Sequence, residues 1–278
     1  MVLKPVFTLL FQGAAVVYLL ALLFYVFKQY RWAGWTVTLG LLVHTTSQTI
    51  RCWRYGFFTL EGAFHAGFFL PWCLAALIVV AWQRNKRQDH HILSALWPLV
   101  VVSALVIIIP PTCHNPTPFT PTWSAYLFFI FESLAHACFI MSGWLAVQSL
   151  LQRHPQAPFH AYAVWGFVCF SLAQLAGCAW TYLGWGGLFR WGTRHMHSAA
   201  LWCFYCSYLH TAYLKGFGLR NKARFALAGT LITLVLFYAL PLVPRPGRTL
   251  AKQQAVMNHA QTAPDQTISA ISSSQEAL

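Results

Sequence analysis

The chain has 278 residues, 58% of them hydrophobic and 8% charged, and its mean hydropathy is +0.55. Lys and Arg outnumber Asp and Glu by 18 to 5, giving a formal net charge of +13. This composition excludes a water-soluble domain, and the basic residues lie between long apolar runs, where they set membrane orientation rather than form a nucleic-acid surface.

Eight apolar runs are expected to be transmembrane helices, at roughly residues 5–27, 33–53, 61–83, 92–110, 122–150, 161–183, 195–215 and 223–242. In hydrocarbon the backbone must satisfy its own hydrogen bonds, which favours helices, and the period-2 alternation of a membrane barrel is absent. The expected fold is therefore all-α, a polytopic membrane helix bundle in a single domain over residues 1–243. The first run is too long for a cleavable signal peptide and lacks a small-residue cleavage site. On the second run His44, Gln48 and Arg51 share one stripe, within His-Thr-Thr-Ser-Gln, a stretch too polar to face lipid. His65 falls in the third run. Cys113 and His114 fall in the loop after the fourth. Glu132 and His136 lie four apart on the fifth run, hence on one helix face.

A Trp/Gly-rich loop, Trp185 to Arg194, separates the sixth run from the seventh, which carries His195, His197, Cys203, Cys206 and His210. Residues 244–278 read as a polar, disordered tail.

Outside the tail, one set of connections holds ten Lys and Arg residues, and the alternate set holds five: Lys4, Arg51, Arg54, Arg190 and Arg194. The positive-inside rule puts the first set in the cytoplasm, so both termini and the Trp-rich loop lie outside, as in a bacterial cytoplasmic membrane. Arg190 and Arg194 break the trend. Either they meet an acidic group, such as a haem propionate or a lipid headgroup, or they are ordinary interfacial arginines.

The histidines fall into classes by depth. His90, His91, His154, His160 and His259 lie in connections or the tail and read as solvated. His44, His65, His136 and His210 lie within spans, where ionisable groups are costly and tend to be functional. At about 1.5 Å of rise per residue, His44 and His136 fall near the midplane. His65, His195 and His197 are closer to the outer side, and His210 is near the inner end. Each alone is either a ligand or a hydrogen-bonding partner of a neighbouring helix. Glu132 reads as an orienting partner of His136 or as a protonatable group beside a quinol. Flat indoles beside imidazoles suit a large planar metallo-ligand, with haem the leading candidate. No CxxCH is present, so covalent c-type attachment is not expected. The cysteines within spans read as packing residues. A disulfide between Cys52 and Cys113, both near the outer side, is compatible with that compartment.

The segment Trp185 to His210 resembles the tryptophan-rich signature of the cytochrome c assembly family, haem-handling membrane proteins of the CcsA, CcmC and HemX type. Trp185, Gly186, Trp191, Trp202, Tyr208, Leu209 and His210 fit the pattern without a gap. His44 to Trp72 resembles the family's second and third spans, so the resemblance covers about residues 35–240 and is specific mainly in the loop. It implies the CcsA-type core, with the loop outside, Trp185, Trp191 and Trp202 against haem, and His210 as the inner histidine.

The departures are equally definite. Phe189 replaces a motif tryptophan, Gly192 the motif aspartate, His195 an acidic residue and His197 a tryptophan. Phe131 and the stretch Val243, Pro244, Arg245 stand where two haem-ligating histidines are expected outside the membrane.

Three functions are compatible with these residues. The chain handles haem for cytochrome c maturation. Or it holds non-covalent b-type haem by bis-His ligation and carries electrons, between a quinone pool and a c-type cytochrome or other subunits. Or it is a haem-free scaffold. The altered motif and the extra histidines favour the second, with His44 and His136 as a midplane pair and His65 joined to His195 or His197. Arg190, Arg194 and Glu132 complete the expected cofactor surroundings.

Overall fold

The computed structural model describes residues 6–55, 62–84, 90–108, 122–151, 158–189 and 191–239, with the side chains of 54, 55, 62–67 and 90 outside that description. All regular structure among the described residues is helical. The elements are α1 (Val6–Val26), α2 (Tyr30–Tyr55), α3 (Gly62–Arg84), α4 (Leu96–Ile108), α5 (Trp123–Leu151), α6 (Pro158–Trp185), α7 (Thr193–His210) and α8 (Leu219–Leu234). A short helical turn at His90–Leu93 precedes α4, and a π-helical segment, Val235–Ala239, continues α8.

Each expected span falls on one of these helices. Among the described residues five helical stretches are long and apolar enough to cross a membrane: α1, the stretch His91–Ile108 that contains α4, α5, α6, and α8 with its π extension. The protein is thus an integral, all-helical membrane bundle. α2 and α7 carry too many polar residues to qualify on apolarity alone; α2 bears His44, and α7 bears His195, His197 and His210.

α1 and α2 form a tight antiparallel hairpin. Lys28 adopts φ 61°, the left-handed cap that ends α1, and the Gln29 amide closes onto Phe24 O at 2.8 Å. The helices are joined by Ser47 Oγ donating to Phe7 O at 2.6 Å. The polar run on α2 divides differently from expectation. His44, Ser47 and Arg51 are buried, whereas Thr45, Thr46 and Thr49 are exposed. The threonines return their hydroxyls to α2's own carbonyls at Leu41, Leu42 and Thr45, which lets them face outward without an unpaired donor.

α3 contains Pro71 in its interior. A proline there removes an amide donor and pushes carbonyls of the preceding turn aside, and neighbouring helices then supply the donors. The Phe68 carbonyl, in that turn, accepts from His44 Nε2 at 3.0 Å and from Gln48 Nε2 at 2.9 Å.

α5 is the axis of the bundle and packs on α3, α4, α6 and α8. Its residues 135–143 are buried without a break, the pattern of a helix surrounded by other helices. Small residues permit that crowding. A Cβ on Gly143 would overlap Thr230 of α8, and one on Gly166 of α6 would overlap the Phe139 ring. Thr230 uses the close approach to donate from Oγ1 to Phe139 O at 2.6 Å. α7 docks by stacking Tyr205 on Phe139, with centroids 3.7 Å apart and planes 8° apart. α6 begins at Pro158, so His160, expected in a connection, lies on the helix. It is hydrogen-bonded through Nδ1 to Tyr208 OH of α7 at 3.0 Å. The Cys52–Cys113 pairing that the compartment would allow lies outside the description, because Cys113 is not among the described residues.

Gly143→Leu is expected to destabilise the detergent-solubilised chain by about 1–3 kcal/mol through overpacking. Gly13, where an added Cβ meets nothing within 4 Å, gives the control: Gly13→Leu leaves the thermal midpoint in place. Equal midpoints for the two variants would refute the account.

Candidate functional site

The Trp-rich segment is held in place by local chemistry at the end of α6. Gly186, at φ 72°, terminates the helix, and its amide bonds back to Tyr182 O at 2.8 Å. Thr181 Oγ1 donates to Leu188 O at 3.0 Å, tying the loop to the helix it leaves. Extended Gly192 then starts α7. This short connection folds α7 back beside α6, and a trough of about 590 Å³ opens between α5, α6, the loop and α7.

The walls of the trough are aromatic: Phe128, Trp180, Trp185, Phe189 and Trp202. Trp180 and Trp185 meet edge to face at 5.8 Å, and Trp180 packs on Phe129 at 5.5 Å. Trp202 Nε1 donates to Ser171 Oγ at 3.0 Å, which fixes the indole plane. Polar groups enter from Gln174, Arg194 and His195. A cavity of this size with apolar walls and a few directed polar groups suits a flat apolar ligand that carries acidic substituents.

Arg194 is the hinge of the electrostatics. One terminal nitrogen, NH2, donates to Glu132 Oε2 at 2.6 Å. The side chains differ in exposure, 40% for Arg194 and 4% for Glu132. The guanidinium also lies 5.2 Å over the Phe128 ring and 5.6 Å over Phe129, a cation–π arrangement that helps hold it at the rim. The contact uses a single nitrogen. Glu132 Oε1 and Arg194 Nε are buried with no hydrogen-bond partner.

Behind this pair, one turn deeper on α5, His136 is enclosed by Phe170, Phe237 and Tyr238. Its Nδ1 is hydrogen-bonded to Tyr238 OH at 3.0 Å, and its Nε2 is buried without a partner. Glu132 therefore pairs with Arg194, and Tyr238 takes the orienting role at His136 that the sequence suggested for Glu132.

His44 sits in a different cage, beside Phe11 and Tyr18. A carbonyl only accepts, so Nε2 carries the proton given to Phe68 O, and Tyr18 OH donates to Nδ1 at 3.2 Å. Among the described hydrogen bonds and ring contacts, His44 and His136 have no neighbour in common. Nor do three or more His, Cys, Asp or Glu side chains gather as a metal site among the described residues.

The other expected residues are spread more widely. His195 lines the trough, 5.4 Å from the Phe189 ring. His197 points elsewhere, 6.5 Å from Phe237. His210 is exposed and donates from Nδ1 to Cys206 O at 2.7 Å. Trp191 is 86% exposed and reaches the trough through an edge contact with Phe189 at 5.3 Å. Arg190 and the His65 side chain lie outside the described residues. The structure thus assembles Trp185, Trp202, Arg194 and His195 around one cavity. Trp180, Phe128 and Gln174 complete it without having been singled out. Gln174, a lone amide in an apolar run, was the one signal available for that face of α6.

Removing Arg194 strands a buried carboxylate, whereas removing Glu132 leaves a cation that still reaches water. Arg194→Ala should therefore cost near the lower end of the about 3–5 kcal/mol typical of a broken buried pair, and Glu132→Ala distinctly less. Thermal unfolding of both variants, and of the double variant, checks the asymmetry; equal losses would contradict it.

No family model matches the chain. Curated relatives do. The "Cytochrome c biogenesis protein CcsA" of Prochlorococcus marinus strain MIT 9313 is 23% identical over 258 residues, covering 74% of this chain and 80% of its own. Its namesake in strain MIT 9303 is 21% identical over the same length and shares. The protein of that name in Synechococcus sp. strain CC9902 is 27% identical over 105 residues, covering 37% of this chain and 34% of its own. The extent of these matches agrees with the Trp-rich segment and the helical membrane bundle, and over about three quarters of its length the chain is similar to cytochrome c biogenesis proteins of the CcsA type.

Proposed function

We propose that the protein binds haem in the aromatic trough in the service of cytochrome c maturation. The observation that carries this reading is the trough itself. The family's signature segment forms a cavity walled by Trp180, Trp185, Trp202 and Phe189, with a cation at its rim. The relatives' name, cytochrome c biogenesis protein, supports the same direction.

In this reading haem is cargo, an iron porphyrin whose vinyl groups end in thioether bonds to a partner apocytochrome. The chain's own groups have separable tasks. The indoles offer flat apolar faces and exclude water. Arg194 keeps donors free beyond the one given to Glu132, and these suit a propionate. His195 brings an imidazole to the same cavity and is the candidate axial ligand there. Trp191, outside the cavity wall, suits the membrane interface or the incoming partner. In this reading the trough faces the outer side of a bacterial cytoplasmic membrane.

A second reading, permanent b-type haem with bis-His ligation and electron transfer to or from quinone, draws on one observation: the buried, unpartnered Nε2 of His136. It needs a second imidazole facing that nitrogen, and His44 has both of its nitrogens engaged elsewhere.

Haemin titration of the purified chain, followed by the Soret band, tests the first reading. Trp202→Ala is expected to weaken binding about tenfold, equivalent to about 1.4 kcal/mol, and His195→Ala to shift the Soret maximum. Loaded protein mixed with reduced apocytochrome bearing CxxCH should lose its haem to the partner. Haem that stays bound, is reduced by quinol and disappears in His136→Ala would favour electron transfer. Absence of any Soret band would defeat both.

A further inference from the structure

We infer that the Arg194–Glu132 pair is an exchangeable counterion: a carboxylate-bearing ligand in the trough takes Arg194 from Glu132, and Glu132 takes up one proton from solvent. The inference rests on the haem reading above for the identity of the ligand and adds how its acidic groups are admitted.

Three observations carry it. Arg194 lines the trough and Glu132 does not, so the guanidinium stands between the buried carboxylate and the cavity. The pair is joined through one nitrogen at 2.6 Å, not as a two-pronged fork, and Arg194 Nε and Glu132 Oε1 are buried with no partner. A fork would occupy both carboxylate oxygens and two donors; this contact leaves capacity on both sides. Finally, the exposures are unequal, 40% against 4%. Arg194 can turn to a new anion while keeping its access to water. Glu132 has no such escape, and a carboxylate stripped of its cation in a low-dielectric interior neutralises by protonation.

Charge balance closes. The ligand brings one negative charge to Arg194, and the proton removes one from Glu132. The trough reaches solvent past Arg194, which gives the proton its route.

The groups around the pair are few. The π segment after α8 contributes Tyr238, which also feels Cys73 of α3, and α5 itself contributes His136. α7 brings His195 and His197 nearby, and α6 presents uncharged Gln174. Tyrosine and cysteine ordinarily hold their protons below pH 8, and Glu132 is the one acidic side chain among the described residues. The histidines on α7 are the competing proton acceptors, so the test must separate them from Glu132.

Iron-free protoporphyrin IX, which carries two propionates, and its dimethyl ester, which carries none, are the probes. Binding to the full chain is followed by tryptophan quenching between pH 5.5 and 8, and proton uptake by calorimetry in two buffers of different ionisation enthalpy. Wild type is expected to take up about one proton per porphyrin and to bind up to about tenfold more weakly for each unit rise in pH. Glu132→Gln should bind without that uptake and more tightly at pH 8. The dimethyl ester should bind wild type without uptake. His195→Gln should retain the uptake. If Glu132→Gln does not fold, Arg194→Gln serves: it should bind more weakly and without uptake. Equal uptake by wild type and either variant overturns the exchange, as does its absence in wild type; in those cases the haem reading survives. If neither porphyrin binds wild type, the haem reading fails and the exchange fails with it.

Discussion

The structure depends on the burial of α5. A helix with neighbours on α3, α4, α6 and α8 cannot turn its polar groups to lipid or to water. Its polar side chains therefore turn to partners inside the bundle, although Ser133 Oγ, Glu132 Oε1 and His136 Nε2 are buried without one. Glu132 reaches Arg194, His136 reaches Tyr238, and Ser142 donates to Phe159 O at 2.8 Å. Each of these contacts fixes a different neighbour: α7, the π segment after α8, and α6. The glycines that allow close approach and the polar groups that demand it act together, so the central helix determines where the outer trough opens.

The membrane bundle was legible in the sequence because apolar runs of bilayer length leave few alternatives. The boundaries at α6 and α7 were less so. His160 sits on a helix because Pro158 is a good first-turn residue, a signal that hydropathy alone does not register. The polar stretch on α2 misled in another way. Threonine can satisfy its hydroxyl on its own helix, so Thr45 and Thr49 need no interior, whereas His44 and Arg51 do. Helical spacing correctly put Glu132 and His136 on one face. It says nothing of the groups that other helices bring, and Arg194 and Tyr238 are 62 and 102 residues away in the chain.

The two intramembrane histidines illustrate why ligand-type residues alone are an incomplete guide to a site. His44 gives its proton to the Phe68 carbonyl, in the turn before Pro71, and receives one from Tyr18, which makes it a strut between α1, α2 and α3. His136 has one nitrogen committed and one without a partner. Both were expected near the midplane as candidate ligands, His44 in a polar stretch and His136 beside Glu132. The difference lies in a proline on one neighbouring helix and a tyrosine on another. The trough obeys the same logic. Its tryptophans were visible as a motif, but Trp180 and Phe128 belong to helices whose aromatic content looks ordinary until they are brought beside it.

The π segment Val235–Ala239 is wound more widely than the α8 helix it continues, each turn taking in more of the chain. The wider winding takes up about one residue more per turn than α8 does, and it sets the register at which Tyr238 OH meets His136 Nδ1. At this end of the protein the chain is constrained in length as well as in composition. Among related chains, insertions and deletions here should be rarer than substitutions.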